Sequence, residues 1–455
     1  MKVVPRRAPL VLRDGRRVVF SQHLEGDIML DLAFIREHPD LIRDVARRRK
    51  TAVDLDALLA TDTELRIVKR RAEDLRAEQN KVSQAIREAG SDAAAREAAI
   101  ERGRILAAEL KELEPRERDL ETHLRNLWLL VPNIPDASVP EGEGEEDNVE
   151  IKRVGEAPHF AFEPLDHVTL MKGQDWLDLE RAAKVSGSRS YILKGDAVFL
   201  EIALMQFALD RIARKGFTAL EVPVLAKEFA FYGNAQFPRG REQTYSLPED
   251  DLFLIGTAEV SITGMRSGEI LSEAELPIKY VGYSPCFRRE AGTYGKDTKG
   301  IMRVHQFAKV EQYIICRADH EESVRWHEEL LANSEELVRA LDLPYRVLNI
   351  CTGDLGDAKV KGYDIECWIP SEGRYRETHS DSYFHDYQAR RANIRYRDAD
   401  GTVRFVHTLN NTALASTRTI IALVENHQQA DGTVRVPQAL RPFIGGRETL
   451  GRPIR

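Results

Sequence analysis

From Asp62 to Leu130, apolar residues recur at alternating intervals of three and four, and few architectures accommodate that pattern. The first seam is Leu65, Val68, Ala72, Leu75, Gln79, Val82 and Ile86, with Gln79 its one polar member. Gly90-Ser91-Asp92 interrupts it as a turn, and Asp92 is placed to cap a second helix. The second seam is Leu106, Leu110, Leu113, Glu117, Leu120, Leu124 and Leu127. Two such seams joined by a short turn predict an antiparallel helical hairpin, with about 28 residues per helix and a length of roughly 40 Å. Pro115 falls inside the second helix and should kink it. The hairpin carries 14 Lys/Arg against 15 Asp/Glu, so its total charge does not mark it as a polyanion binder. Periodicity alone favours a dimerisation coiled coil or a spacer. The cluster Lys69-Arg70-Arg71 leaves a one-sided basic patch open.

The hairpin is only part of a 455-residue chain, which is too long for one ordinary core. Residues 1–28 are basic and aperiodic, with no apolar core of an export signal. They read as a disordered extension or an upstream mis-called start, with Met29 the true beginning. Residues 29–131 form the helical arm. Residues 132–150, rich in Pro, Gly and acids, read as a linker, and residues 151–455 as the main domain. There, short β-rich runs such as "DLFLIG", "KYVGYSPCF" and "YDIECWIP" are separated by turns. Helices are expected at Val198 to Lys215, His320 to Leu341 and Thr412 to Gln429. The fold class is therefore α+β, a largely antiparallel sheet with flanking helices. No P-loop and no G-x-G-x-x-G follows a strand, which disfavours the usual nucleotide-binding folds. Four cysteines without a C-x-x-C pair read as reduced thiols in a cytoplasmic protein, with neither disulfides nor zinc. No run approaches the ~20 apolar residues of a membrane span.

Several charged pieces stand out in this domain. Arg288-Arg289-Glu290 follows directly on an apolar run. An arginine fork matches phosphate oxygens, and a neighbouring carboxylate accepts from an exocyclic amine; alone, the triplet reads equally well as a solvated hairpin stem. Phe307, across a Gly- and Lys-rich loop, offers a face on which a flat base stacks. Glu377 and Ser380, three apart, are hard oxygen donors suited to a phosphate-bound Mg²⁺, or simply part of a polar loop. Arg418 sits among Ala415, Ser416, Thr417, Ile420 and Ile421. A lone arginine on an amphipathic helix is most often a surface residue, but these neighbours point to partial burial, and a buried cation needs an anion such as ATP could supply. Thr257 and Glu259 lie at a strand-to-helix junction, either capping the helix or reading a small ligand with an ammonium and a hydroxyl.

The chain also carries "PLDHVTLM", "KVSGSRSYILKGD", "LIGTAEV", "YSPCFRREAG", "VHQFAKVEQ", "CTGDLG", "YRETHS", "QARRANIRYR", "HTLNNTALA" and "ENHQQADGTVRVPQALRP", in that order. From Met29 to about Gly446 it resembles the seryl-tRNA synthetases, class II aminoacyl-tRNA synthetases. The "GTAEV", "RETHS" and "LNNTALA" forms are similar to the thermophile-type bacterial branch. The resemblance implies an antiparallel class II catalytic sheet and a homodimer, with Pro223 in the interface motif. It implies an arm that grips the long variable arm of serine tRNA, and RNA read through shape and backbone suits an arm of near-zero net charge. It also implies serine activation with ATP and Mg²⁺ and transfer to tRNA, with selenocysteine tRNA as a further acceptor.

Residue by residue, the resemblance places Arg288 and Arg418 on the phosphates as the catalytic cations, with Arg288 also reaching the serine carboxylate. Glu290 faces the adenine amino group, Phe307 stacks on the ring with Val304 beside it, and Arg289, Thr378 and His379 complete the ATP contacts. Glu377 and Ser380 ligate Mg²⁺. Thr257, Ala258, Glu259, Glu311, Asn410 and Thr412 line the serine pocket. The loop Ala291 to Met302, with Lys296, Lys299 and Arg303, approaches the tRNA acceptor end. Two departures stand out. His379-Ser380-Asp381-Ser382-Tyr383 replaces the family's frequent Ser-Ser-Cys-Ser-Asn, so Asp381 either adds a metal contact or points to solvent. Asn410-Asn411-Thr412 is a weak form of the family's glycine-rich motif before Arg418. Two other readings compete: a paralogue that loads an amino acid onto a carrier protein, which has no need of the hairpin, and a non-catalytic RNA-binding scaffold, against which Arg288, Glu290, Glu377 and Arg418 all count.

Overall fold

The computed structural model describes residues 31–292, 295, 297 and 299–454, together with the backbone of 10–11 and 17–18, which pair as two short antiparallel strands. The rest of residues 1–28, the start at Met29, and Lys296 lie outside the described residues. The chain divides into two compact units, Leu30–Pro132 and Asn133–Arg455.

The first unit is dominated by two long helices, α1 (Leu55–Glu88) and α2 (Ala93–Trp128). Asp54 and Asp92 cap them, each side chain accepting from the backbone N–H three residues on. The helices are longer than the seams suggested, 34 and 36 residues, because capping and not the apolar repeat sets where they begin. Ala72, Leu75, Leu106 and Leu110 form the buried seam, with Val82 and Leu113 packed against it. Helix α2 runs on through Pro115, which is exposed. Ion pairs cross between the helices on both flanks of the seam: Lys69–Glu121 on one, Arg71–Glu109, Arg102–Glu78 and Arg116–Glu64 on the other.

The second unit is built on a sheet of eight strands among the described residues. In chain order they are β1 (Val149–Val154), β2 (Thr218–Glu221), β3 (Ile278–Phe287), β4 (Gln306–Cys316), β5 (Tyr345–Asn349), β6 (Lys361–Ile369), β7 (Arg374–His385) and β8 (His407–Ala415). Their spatial order is β1-β5-β6-β7-β8-β4-β3-β2, antiparallel throughout except between β3 and β2. Helices α3 (Asp196–Ala213), α4 (Ala258–Met265), α5 (His320–Ala340) and α6 (Ser416–Asn426) pack on this sheet. Leu204, Phe207, Leu330, Ile420 and Leu423 bring α3, α5 and α6 into one core with the strands.

Two expectations change here. Residues 412–415 are strand and not helix, because Thr412, Leu414 and Ala415 pair with Glu311, Val310 and Lys309 of β4; α6 begins only at Ser416. The segment expected as a linker is tied to the sheet unit. The Asn133 backbone N–H donates to Asp357, Val139 is buried with Leu348, Ile350 and Leu355, and Val149 already belongs to β1. Its prolines and glycines shape a path along a surface.

A candidate active-site cleft

Two bulges and one glycine decide which side chains meet. Between β6 and β7, Glu366 pairs with Glu377 and Ile365 with His379, so Thr378 is the extra residue. Glu377, Thr378, Ser380 and Ser382 consequently all line one cleft. Between β4 and β8, Ala413 is the extra residue, and the phase of β8 slips so that Ala415 and Thr417 join Asn410 and Thr412 on the cleft side. On β4, Phe307, Lys309 and Glu311 alternate onto the same face. Gly282, the register partner of Glu311, lets α4 lie against β3: a Cβ there would meet Ile262 at 2.9 Å and Ala258 at 3.0 Å. That close approach carries Thr257 and Glu259 into the same cleft as Glu311.

The cleft has a cavity volume of about 190 Å³ and opens to solvent. One end is cationic and aromatic. The Arg288 guanidinium lies 5.2 Å over the Phe307 ring. The Arg418 Nη1 donates to the Glu377 carboxylate at 3.0 Å and to its backbone carbonyl at 3.0 Å. Burial alone would raise the Glu377 carboxyl, but Arg418 outweighs it and holds the group below the usual range. The Lys359 ammonium donates to Ser380 Oγ at 3.1 Å, and Arg303 holds the Glu290 carboxylate at 2.9 Å. Glu290 itself has φ +52, so its backbone turns the carboxylate away from the path of β3. A flat ligand bearing several negative charges meets its complement here.

The other end is small and polar. Lys309 and Glu311 form an ion pair, both side chains almost wholly buried. Gln388 Nε2 donates to Glu259 at 2.6 Å. Burial, and then the charge of Glu311, push the Glu259 carboxyl up to about 6. Thr257 caps α4, its hydroxyl accepting from the Glu259 N–H at 3.3 Å, and it faces the cleft as well. Asn410 and Thr412 close the wall. Carboxylates, hydroxyls and an amide converging on a small volume suit a ligand with an ammonium and a hydroxyl.

Thus Thr257, Glu259, Arg288, Glu290, Val304, Phe307, Glu311, Glu377, Thr378, Ser380, Asn410, Thr412 and Arg418 come together. Arg289, Ala258 and His379 do not. Arg289 is exposed, and its backbone N–H donates to Gln243. Ala258 is fully buried among Tyr280 and Tyr313. His379 points to the opposite face of β7, where burial lowers its imidazole to about 4. Asp381 follows the same alternation: it neither joins the cleft nor reaches solvent, but lies buried 3.4 Å from His327 Nε2 on α5. Burial pushes its carboxyl well above the usual range. Tyr383, also on this face, packs edge-on against His327.

Sequence reasoning passed over Lys309, Lys359, Asp364, Ser382 and Thr417. Period two from Phe307 and Glu311 marks Lys309. No local pattern marks Lys359 or Asp364, which arrive through register: Asp364 pairs with Ser380. Burial, and then the Glu377 charge, push the Asp364 carboxyl up to about 8. The unfolded residue titrates near pH 4, so folding takes up a proton between about 4 and 8, and this contribution to stability fades as pH rises through that window. Asp364→Asn should therefore gain stability over the unaltered protein as pH rises, by about 5 kcal/mol at pH 8 and little at pH 4. Urea unfolding of both proteins across that range measures it, and parallel profiles would refute it.

Comparison with known proteins places these features. Residues 29–135 match the seryl-tRNA synthetase N-terminal domain, and residues 244–427 match the class II tRNA synthetase core domain shared by the G, H, P, S and T enzymes. The chain is 52% identical over 94% of its length to the serine-tRNA ligase of Deinococcus radiodurans, whose whole length is covered. It is 44% identical over 92% of its length to that of Thermodesulfovibrio yellowstonii, covering 99% of that protein. Among solved structures, the seryl-tRNA synthetase of Pyrococcus horikoshii complexed with ATP aligns with a TM-score of 0.85 at 42% identity, covering 93% of this chain and 99% of that one. The cytoplasmic enzyme of Naegleria fowleri in complex with AMP aligns with a TM-score of 0.81 at 32% identity, with the same coverage.

Proposed function

The chain belongs to the seryl-tRNA synthetase family of class II aminoacyl-tRNA synthetases, and from that premise we propose that this cleft activates L-serine with ATP and passes it to serine tRNA. The observation that carries the reading is the juxtaposition of the two ends of the cleft. The cationic, aromatic end opens directly onto a small polar pocket, as joining an amino acid to a nucleotide requires.

In the first step the serine carboxylate attacks the α-phosphorus of ATP, giving seryl-adenylate and pyrophosphate. Arg288 meets the charge that gathers on the α-phosphoryl oxygens, and Arg418 holds the departing pyrophosphate. Phe307 stacks on the adenine and Glu290 accepts from its amino group. Glu311, Glu259, Asn410, Thr412 and Thr257 receive the serine ammonium and hydroxyl. In the second step the terminal ribose hydroxyl of the tRNA attacks the seryl carbonyl and AMP leaves. No side chain becomes covalently attached, so catalysis is positioning and charge stabilisation.

Mg²⁺ fits the donors at the cationic end. Glu377 and Ser380, both facing the cleft, are hard oxygen donors of the kind Mg²⁺ takes. Among the described residues no three His, Cys, Asp or Glu side chains gather as a metal cage; Mg²⁺ needs none, since it keeps waters and binds through one or two carboxylates and substrate phosphates. When bound, it supplies charge neutralisation on the phosphates. The helical hairpin binds the long variable arm of serine tRNA, and the loop from Ala291 to Met302 meets the acceptor end. Selenocysteine tRNA, which takes serine first, is a further acceptor. The active species is a homodimer and works in the cytoplasm; no helix among the described residues is long and apolar enough to cross a membrane.

Purified protein with Mg²⁺ should exchange labelled pyrophosphate into ATP only when serine is present. An exchange rate that ignores serine, or none at all, would remove the central claim. Aminoacylation of serine tRNA with and without its variable arm tests the role of the hairpin.

A further inference from the structure

The near-zero charge of the hairpin conceals a segregation. On α2, Arg104, Lys111, Arg118 and Arg125 recur every seven residues, and all four are exposed. Seven residues advance a helix about 10.5 Å and nearly two turns, so the four cations form one row roughly 31 Å long. Beside the row run Ala108, Pro115 and Thr122, three or four residues away from its members. These short side chains let another molecule's backbone come close. The acids nearest the row are Glu101, which pairs with Arg104 at 3.3 Å, Glu114, and Glu121, which Lys69 of α1 holds at 2.6 Å. Lys111 and Arg118 make no ion pair among the described residues.

The opposite flank differs. Its cations Arg71, Arg102 and Arg116 are spent on Glu109, Glu78 and Glu64 across the helix pair. Outside those pairs lie Glu112 and Asp119 on α2 and Asp74 and Glu88 on α1, all exposed, with Lys81 the one cation in their rows. One flank thus presents a spaced row of positive charge over low-profile residues. The other presents acid.

We propose that the row Arg104, Lys111, Arg118 and Arg125 is the RNA-binding face of the hairpin, taking successive phosphates of a duplex stem, and that the flank with Glu112 and Asp119 faces away. The assignment rests on the reading that the hairpin holds the variable arm of the tRNA. A row of point charges at fixed spacing contacts backbone and carries no base code, as expected for duplex RNA recognised by shape.

The test measures serine tRNA binding across a salt series. The variant Arg104→Ala/Lys111→Ala/Arg118→Ala should lose on the order of 100-fold in affinity near ~0.15 M salt, and its log–log salt slope should shrink by about 2 to 3. The variant Lys81→Ala/Arg102→Ala/Arg116→Ala removes the same charge from the other flank and should lose less than about 3-fold, because its Arg residues act on Glu64 and Glu78 and not on RNA. Equal losses in the two variants overturn the assignment. In the unaltered protein, bound tRNA should shield Lys111 from acetylation while Lys81 stays reactive, and the reverse pattern overturns it as well. If the unaltered protein binds tRNA equally well with and without the variable arm, the underlying reading falls. If its binding needs the variable arm while the first variant binds normally, the flank assignment alone falls.

Discussion

Arg288→Ala should lower serine-dependent exchange of pyrophosphate into ATP by about 10³-fold or more, with affinity for serine tRNA almost unchanged. The contacts of the side chain set that size. Among the described residues its side chain donates one hydrogen bond, to the Gly256 carbonyl, which is long at 3.4 Å, and it lies over the face of Phe307. Neither is strong enough to anchor the cleft. The local backbone is held independently, by the Arg288 N–H donating to His305 at 2.9 Å. Truncation should therefore leave the fold intact and remove only the charge that meets the α-phosphoryl oxygens. Arg288→Lys keeps a charge but loses the planar fork, and should fall between the two. Loss of tRNA binding in step with loss of exchange would show the residue to be structural.

The second large effect concerns the amino acid. Serine should be activated about 10⁴-fold more efficiently than alanine, measured as kcat/KM in the exchange assay. The polar end of the cleft has little apolar surface to hold a methyl group. Its floor is an ion pair, Lys309–Glu311, that is almost fully enclosed, and Glu259 beside it is buried too. An alanine molecule would enclose these groups without supplying the hydroxyl that one of them expects, and an unpaired buried polar group costs about 1–3 kcal/mol on its own, more when it is charged. Threonine satisfies the hydroxyl, so its rejection must come from the extra methyl group. That is worth only about 1–3 kcal/mol, so discrimination against threonine should be much weaker than against alanine. Comparable rates for serine and alanine would mean that the pocket reads the ammonium alone.

The hairpin was legible because its signal is local: an apolar repeat of three and four, a turn and an Asp cap are all written in consecutive residues. Its ends were less legible, since α1 begins at Leu55, behind the Asp54 cap and ahead of the first seam residue, Leu65. In the sheet unit, the residues that face the cleft were partly visible as charges in unexpected places. What could not be read was phase. A strict alternation through "RETHSDSY" or "HTLNNTALA" assigns faces wrongly past Thr378 or Ala413, because each is an extra residue whose bulge depends on the neighbouring strand. The same dependence hides Asp364, which reaches Ser380 through pairing across two strands. It also leaves Asp381 undecided until α5 is seen to cover that face of β7 with His327. Phe307, Lys309 and Glu311, on a stretch of β4 without an extra residue, needed no such help.

The bulges at Thr378 and Ala413 also determine where the chain can change length. Along most of β7 and β8, losing one residue would turn the remainder of the strand over. Leu414, now in the core, would enter the cleft, and Thr412, now in the cleft, would enter the core. At a bulge the surplus residue sits outside the alternation, so its loss leaves every other side chain on its own face. Gaps between related chains in this sheet should therefore gather at its bulges, these two and those at Phe384 and Ile151, and grafting experiments that shorten or lengthen a strand have their safe joints there.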